Sequence, residues 1–415
     1  MAGLKGNVAW WAAAKQTGRI SIPATATVNG AVSASATVVV NSVIGISVGQ
    51  TVSGTGVTGN PTVSTIVPAT NTLTLSSTQT IANNAVLTFT SSAPATAATK
   101  APFSGGGIMP TRETANLSET DSSRDMGLTY LVRTGAEGTI EAYARDSYAH
   151  VLLTAGIGTD TVSGTNPNFT HTITPSSGLP YFTFWRNQDN VLYEQFTDCQ
   201  VSELTVKGEA GAPLTISASI MGLTPSRSAT EPTNTSSVSV DTSAVYNFND
   251  LSGTGASVAF GGTASTTTGQ VTGGTASRLV RSFELSVNNN VNIQQTDSIV
   301  PYDLVAAQRE VNLSFDIVLE NLNDYNSFFY GSATGTTAST TIFTTPMVFT
   351  FGKSTNNSIA FHLPSVAYEA FPVEPNPNGD PIVVSVRAQA QRFYSTTGAA
   401  LPVTAIVKNQ VSTAA

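Results

Sequence analysis

The chain has 415 residues, enough for about two or three units with sizeable cores, and only 11% of them are charged. Its 18 Lys and Arg against 26 Asp and Glu leave a formal net charge of −8, which argues against a nucleic-acid clamp. A single cysteine, Cys199, excludes an intrachain disulfide framework, and no apolar run approaches the roughly 18 residues of a membrane span.

The chain starts MAGLKGNVAWWAAAKQTG, in which Lys5 precedes an apolar run from Val8 to Ala14. That run sits at the short end of the about 7–15 residues of a secretory signal core. Residues 1–21 therefore read as a mature N-terminal arm, with Trp10 and Trp11 packed against a neighbouring subunit. From Ile20 to Thr99 there is no Asp, Glu, Lys or Arg, and Phe89 is the only aromatic residue. Short β-branched runs (ATVVV, NPTVSTIV, NTLTLSS, AVLTFT) alternate there with Gly and Asn punctuation. This pattern predicts a small inserted β-domain over residues 22–100 rather than a disordered linker.

Residues 111–125 gather Glu113, Glu119, Asp121 and Asp125 with Arg112 and Arg124. No calcium-loop spacing is present, so the stretch reads as a solvated or partner-facing loop, with no metal and no cofactor. Residues 137–155 then read as a strand and a short helix capped by Asp146, with Tyr148, Val151, Leu152 and Ala155 striping its core face. Within residues 181–220, the turn Asn187-Gln188-Asp189-Asn190 separates two β-rich runs, which is hairpin chemistry. The last run alternates Leu214, Ile216, Ala218 and Ile220 with Thr215, Ser217 and Ser219, giving one buried and one wet face. A linker, 227–244, follows the first unit (101–226).

The second unit (245–410) repeats this order before a short tail, 411–415. Val311, Leu313, Phe315, Ile317 and Leu319 alternate along a strand, and Leu322, Tyr325 and Phe329 stripe the core face of the helix after it. Residues 348–373 lie over 181–206 without a gap, so that Phe182, Phe184, Asn190 and Val206 recur as Phe349, Phe351, Asn357 and Val373. Pro381 through Val386 then match Pro213 through Ala218. The expected fold is mainly β: two tandem β-sandwich or barrel-wall units, each with one short helix, plus the inserted β-domain.

Catalytic chemistry is hard to find. His150, His171 and His362 lie at unequal places in the two units and at no metal-ligand spacing, so packing or surface roles are expected. No phosphate loop, HExxH, GxSxG or dinucleotide fingerprint occurs; the glycines at 253 and 255 open no helix. Cys199 reads as a small core residue.

The order of several stretches resembles the tail tube proteins of long-tailed bacteriophages. They are GNVAWWAAAKQTG, KAPFSGGGIMPTRE, EGTIEAYARDSYAHVLLTAGIG, THTITPSSGLPYFTFWRN, FTDCQVSELTVKGEAGAPLTISASIMG and LVRSFELSVNNNVNIQQ followed by VNLSFDIVLEN. The resemblance covers residues 1–20 and about 101–410. It implies a non-enzymatic virion protein, assembled in the host cytoplasm, whose subunits stack as rings into a hollow tube. Three chains per ring would supply six units; other tail proteins would meet the tube ends. Duplex DNA would pass through the lumen without specific binding. Under that resemblance the wet strand faces line the lumen: Thr139 and Glu141 with Ser314 and Asp316, and Thr215, Ser217 and Ser219 with Ser385. Arg387, aligned with Ser219, is the discordant cation. A secreted or cell-surface β-repeat adhesin is the competing reading; it suits the Ser/Thr-rich composition but needs an export signal.

Overall fold

The computed structural model describes residues 9–21, 23–117, 127–248, 258–277, 279–354, 356–374, 381–394, 396 and 401–414. Glu119, Asp121, Arg124 and Asp125 of the acidic loop, and the glycines at 253 and 255, lie outside the described residues. The fold is mainly β, with antiparallel pairing throughout the main sheet system.

The first strand, β1 (Ala9–Lys15), is part of the body of the protein. It pairs on one side with β7 (Phe182–Gln188) and on the other with β2 (Thr99–Pro102). Trp11 and Ala13 join the main core, while Trp10, Ala12 and Ala14 pack with Ala97, Trp185 and Tyr193 on the opposite face. The expected subunit-facing role of Trp10 and Trp11 is thus corrected, because both rings are spent inside the chain. A continuous apolar run is what a strand covered on both faces requires.

Between β1 and β2, six short strands form two three-stranded sheets around a separate core that includes Val28, Val38, Val52, Leu73, Leu87 and Phe89. The Asp198 carboxylate accepts from the Ile20 and Ser21 N–H groups at 2.6 and 2.8 Å, tying down the chain before this unit. After it, Ala97 N–H donates to Asn234 O at 2.7 Å and Ala98 N–H to Ala13 O at 2.9 Å.

The first half contributes β3 (Gly105–Asn116), β4 (Thr129–Tyr143), α1 (Ala149–Ile157), β5 (Gly158–Thr165), β6 (Asn168–Pro175), β7, β8 (Leu192–Glu209) and β9 (Thr215–Ser228). The turn between β7 and β8 holds Asp189 and Asn190 at φ of 53° and 54°, and Asn190 N–H donates to Asn187 Oδ1 at 3.1 Å. Two successive positive-φ residues are the hallmark of a tight hairpin turn. Spatial neighbours run β3, β4, β9, β8.

The second half contributes β10 (Val280–Asn288), β11 (Glu310–Val318), α2 (Asn323–Tyr330), β12 (Thr344–Ser354), β13 (Asn357–Ala370), β14 (Val383–Ala390) and β15 (Thr404–Asn409). Here the neighbours run β10, β11, β14, β13, the same order of pairing. A β-bulge interrupts β8 between Val201 and Glu203, and another interrupts β13 between Tyr368 and Ala370. The halves join where β8 pairs with β10, from Glu203 opposite Asn288 to Glu209 opposite Ser282. One sheet therefore crosses both halves.

Behind it, every residue of α1 is buried, with Tyr148, Val151 and Leu152 in the main core. Gly156 permits this approach, since a Cβ there would stand 2.6 Å from Leu204 Cβ. Asp146 does not cap α1; its Oδ2 accepts from Asn357 Nδ2 at 2.8 Å. Helix α2 differs. It begins only after Leu322, so its inward stripe is Tyr325 and Phe328, packed near Phe371. Leu322 and Phe329 are 48% and 49% exposed, which corrects their assignment to the core.

Candidate functional site: the polar face of the continuous sheet

Residues of one parity along each strand of this continuous sheet point into the core; the others build a polar face. The register sets Glu141, Ser217, Thr205, Ser286, Asn312 and Gln389 in one row across six strands. The next row holds Tyr143, Thr215, Lys207, Glu284, Ser314 and Arg387. A shorter row holds Glu209, Ser282, Asp316 and Ser385, and another aligns Thr139, Ser219, Glu203, Asn288 and Glu310. All eight residues selected from sequence (Thr139, Glu141, Thr215, Ser217, Ser219, Ser314, Asp316, Ser385) thus share one face of one sheet.

Short hydrogen bonds fix much of this face. Asp316 accepts from both flanking strands, from Ser282 Oγ at 2.6 Å and Ser385 Oγ at 2.5 Å. Ser286 Oγ donates to Glu203 Oε1 at 2.9 Å, and Lys207 Nζ lies 3.2 Å from Glu284 Oε2; both contacts bridge the halves. Thr139 Oγ1 and Ser219 Oγ are 3.2 Å apart. A groove lined by Lys207, Thr215, Glu284, Ser314 and Arg387 crosses the joint. The rows carry Glu141, Glu203, Glu209, Glu284, Glu310 and Asp316 against Lys207 and Arg387, so the face is acidic.

The selection from sequence missed the polar residues of β8 and β10, notably Glu203, Thr205, Lys207, Glu284 and Ser286. Their signal was present: Leu204 and Val206 alternate with them in β8, as Phe283, Leu285 and Val287 do in β10.

The histidines lie elsewhere. His171 is fully buried, with Nδ1 at 2.8 Å from Asp160 Oδ2 and Nε2 at 3.1 Å from Asn409 Oδ1, and its ring is 4.2 Å from that of His150. Burial, with the neighbouring His171, pushes the His150 imidazole down to about 3. His362 Nδ1 accepts from Val271 N–H at 3.1 Å, and burial lowers its pKa. Cys199 is buried, and its thiol is held well above the usual range by desolvation. These are packed groups. Among the described residues no three or more His, Cys, Asp or Glu converge as a metal site, and no helix is long and apolar enough to cross a membrane.

A family model described as phage tail tube protein matches residues 85–391, about three quarters of the chain. The match begins at the last strand of the six-stranded unit between β1 and β2 and ends just beyond β14. A search of curated proteins finds no match.

Proposed function

The chain belongs to the phage tail tube protein family, and from that premise we propose that three copies close a ring, that rings stack into a tube, and that duplex DNA travels through it. The virion tail is its place and its role is structural. The observation that carries the proposal is the sheet running without a break through the β8–β10 joint, with four wall strands from each half. On this reading the halves are two copies of one unit, and three chains give a pseudo-sixfold ring.

The dimensions support it. About 24 strands at ~4.8 Å spacing and ~40° tilt give a circumference of ~150 Å and a backbone diameter of ~48 Å. Subtracting about 5 Å of side chain from each wall leaves ~38 Å, ample for duplex DNA of ~20 Å. Closure also removes exposed sheet edges, a hazard for a strand-rich chain with so few charges. The polar face is the lumen lining: short hydroxyls and carboxylates offer a travelling phosphate backbone no cationic hold. The inserted unit, proposed to span 22–100, projects from the outside of the tube.

Cryo-electron microscopy of assembled protein tests the proposal. Rings of three chains with Glu141, Glu284 and Asp316 facing the channel are expected. Six chains per ring, or burial of that face between subunits, overturns it.

A further inference from the structure

The joint between β8 and β10 shows how the last wall strand of one half meets the first of the other. The wall has two strands left over, β3 at the start of the first half and β13 at the end of the second. Among the described residues β3 pairs only with β4, and the stretch 371–374 beyond β13 has no ladder partner. Their registers match the strands that already meet. Gly105 faces Glu141, which faces Ser217; Ser282 faces Asp316, which faces Ser385. Counting along, Ile108 stands where Leu285 stands and Thr111 where Asn288 stands. On the other side the recurring bulge places Ala370 in the position of Glu203, and Val373 in that of Val206.

We infer, building on the ring reading, that β3 of one chain pairs antiparallel with the end of β13 of a second copy, with Thr111 opposite Ala370 and Ile108 opposite Val373. Side-chain parity agrees. Ile108 is buried on the core side and Val373 packs against the same core, as Leu285 and Val206 do. The hydrogen-bond phase agrees as well. Asn289 N–H donates to Ser202 O and Ala210 N–H to Arg281 O, each at 2.8 Å. This phase makes Leu204–Val287 and Val206–Leu285 the exchanging pairs across the joint. By equivalence Phe371 and Val373 aim their backbone groups at the free edge, opposite Pro110 and Ile108.

The prolines fit this phase. Pro372 takes the place of Thr205, whose backbone groups turn back toward β9, so its missing N–H costs the new contact nothing. Pro110 still offers its carbonyl to Phe371 but no N–H in return. The contact between chains is therefore one hydrogen bond poorer than the joint within the chain. On an unassembled chain the same proline blunts an open edge against indiscriminate pairing.

Thr111 and Ala370 occupy a non-hydrogen-bonded pair, where Cα atoms lie about 4.5 Å apart, within disulfide range. The test is a Thr111→Cys, Ala370→Cys double variant assembled into tubes and mildly oxidised; buried Cys199 stays out of the chemistry. Non-reducing gels should show linked dimers and trimers, with trimers the ceiling, and neither single variant should link. A Met109→Cys, Ala370→Cys control, about 8 Å apart at this register, should stay monomeric on the gel. Hydrogen exchange on the unmodified protein gives a second readout: the Ile108, Phe371 and Val373 amides should gain protection on assembly. Tubes without the Thr111–Ala370 link and without that protection, or with the Met109 pair linking instead, refute the register while leaving the tube intact. Protein that makes no ring at all refutes both readings.

Discussion

Lys207 Nζ lies 3.2 Å from Glu284 Oε2, an ion pair that spans the line where the two halves become one sheet. Both side chains are about half exposed, so the pair is a solvent-screened cross-strand contact of about 0–1 kcal/mol. The joint itself rests on the backbone ladder and on Leu204, Val206, Leu285 and Val287 beneath it. Lys207→Ala should consequently lower unfolding free energy by less than about 1 kcal/mol in urea titrations. A loss of several kcal/mol would mean that the pair, and not the ladder, holds the halves together.

Leu152 and Phe329 looked alike in sequence, as apolar members of two helical stripes, and should behave differently. Leu152→Asp places a carboxylate among fully buried neighbours and should cost several kcal/mol, leaving little soluble protein. Phe329→Asp removes a half-exposed ring stacked 5.9 Å from Tyr325 and should cost about 1–2 kcal/mol. Chemical denaturation of the two variants decides it; equal costs would restore Phe329 to the core.

The contrast shows what the sequence can carry. Alternation in Leu214 to Ile220 and in Val311 to Ile317 was legible because a half-buried strand must alternate. The start of α2 was less so: beginning the helix one residue past Leu322 moves the inward stripe to Tyr325 and Phe328. The partners of Trp10 and Trp11 are not legible, because an unbroken apolar run says that both faces are covered, not by what. The β8–β10 joint and the His171–Asn409 contact are non-local, the latter across 238 positions, and no local pattern announces them.

Removing the inserted unit should spare the wall. Its core is separate, but its connections are not: Ser21 is bound by Asp198, and Lys100 lies 2.6 Å from Glu231 and over the Trp10 ring. A Gly/Ser link replacing residues 23–96, with Ala97 to Lys100 retained, should still assemble tubes under negative stain. If that variant folds by circular dichroism yet forms no rings, the unit takes part in ring or stacking contacts.

Acid should weaken the fold through His150. Its folded pKa of about 3 lies below the ordinary 6.5, held down by burial and by His171, while Asp160 acts in the opposite direction. A depressed value means that the unfolded chain takes up the proton first. The contribution is whole above about pH 6.5 and is lost progressively as pH falls toward 3. Between pH 7 and pH 5 it should amount to about 2 kcal/mol. His150→Gln, which cannot titrate, should flatten that part of the stability profile. If the wild-type and variant profiles stay parallel over the interval, the buried imidazole is not the source.

The acidic face makes the last prediction, which rests on its lining the channel. Each phosphate neutralised by Lys or Arg releases counterions, and observed affinity then falls with salt by a log–log slope of about −0.9 per contact. Here Lys207 is paired with Glu284, and Arg387 stands opposite Ser314, with Glu284 and Asp316 close in the lattice of strands. Wild-type tubes should retain no duplex DNA at physiological salt. A Glu141→Lys, Glu284→Lys, Glu310→Lys variant changes one residue in each of three rows and leaves Glu203, Glu209 and Asp316 against five cations, at positions exposed or half-exposed and so tolerable to the fold. Its assembled tubes should hold DNA and release it as salt rises, with a slope of magnitude above 2 if at least three phosphates are met in each binding event. Retention by the wild type at physiological salt would contradict the acidic-lining account. So would indifference of intact variant tubes to DNA, since a ~20 Å duplex in a ~38 Å channel is free to settle against cations on its wall.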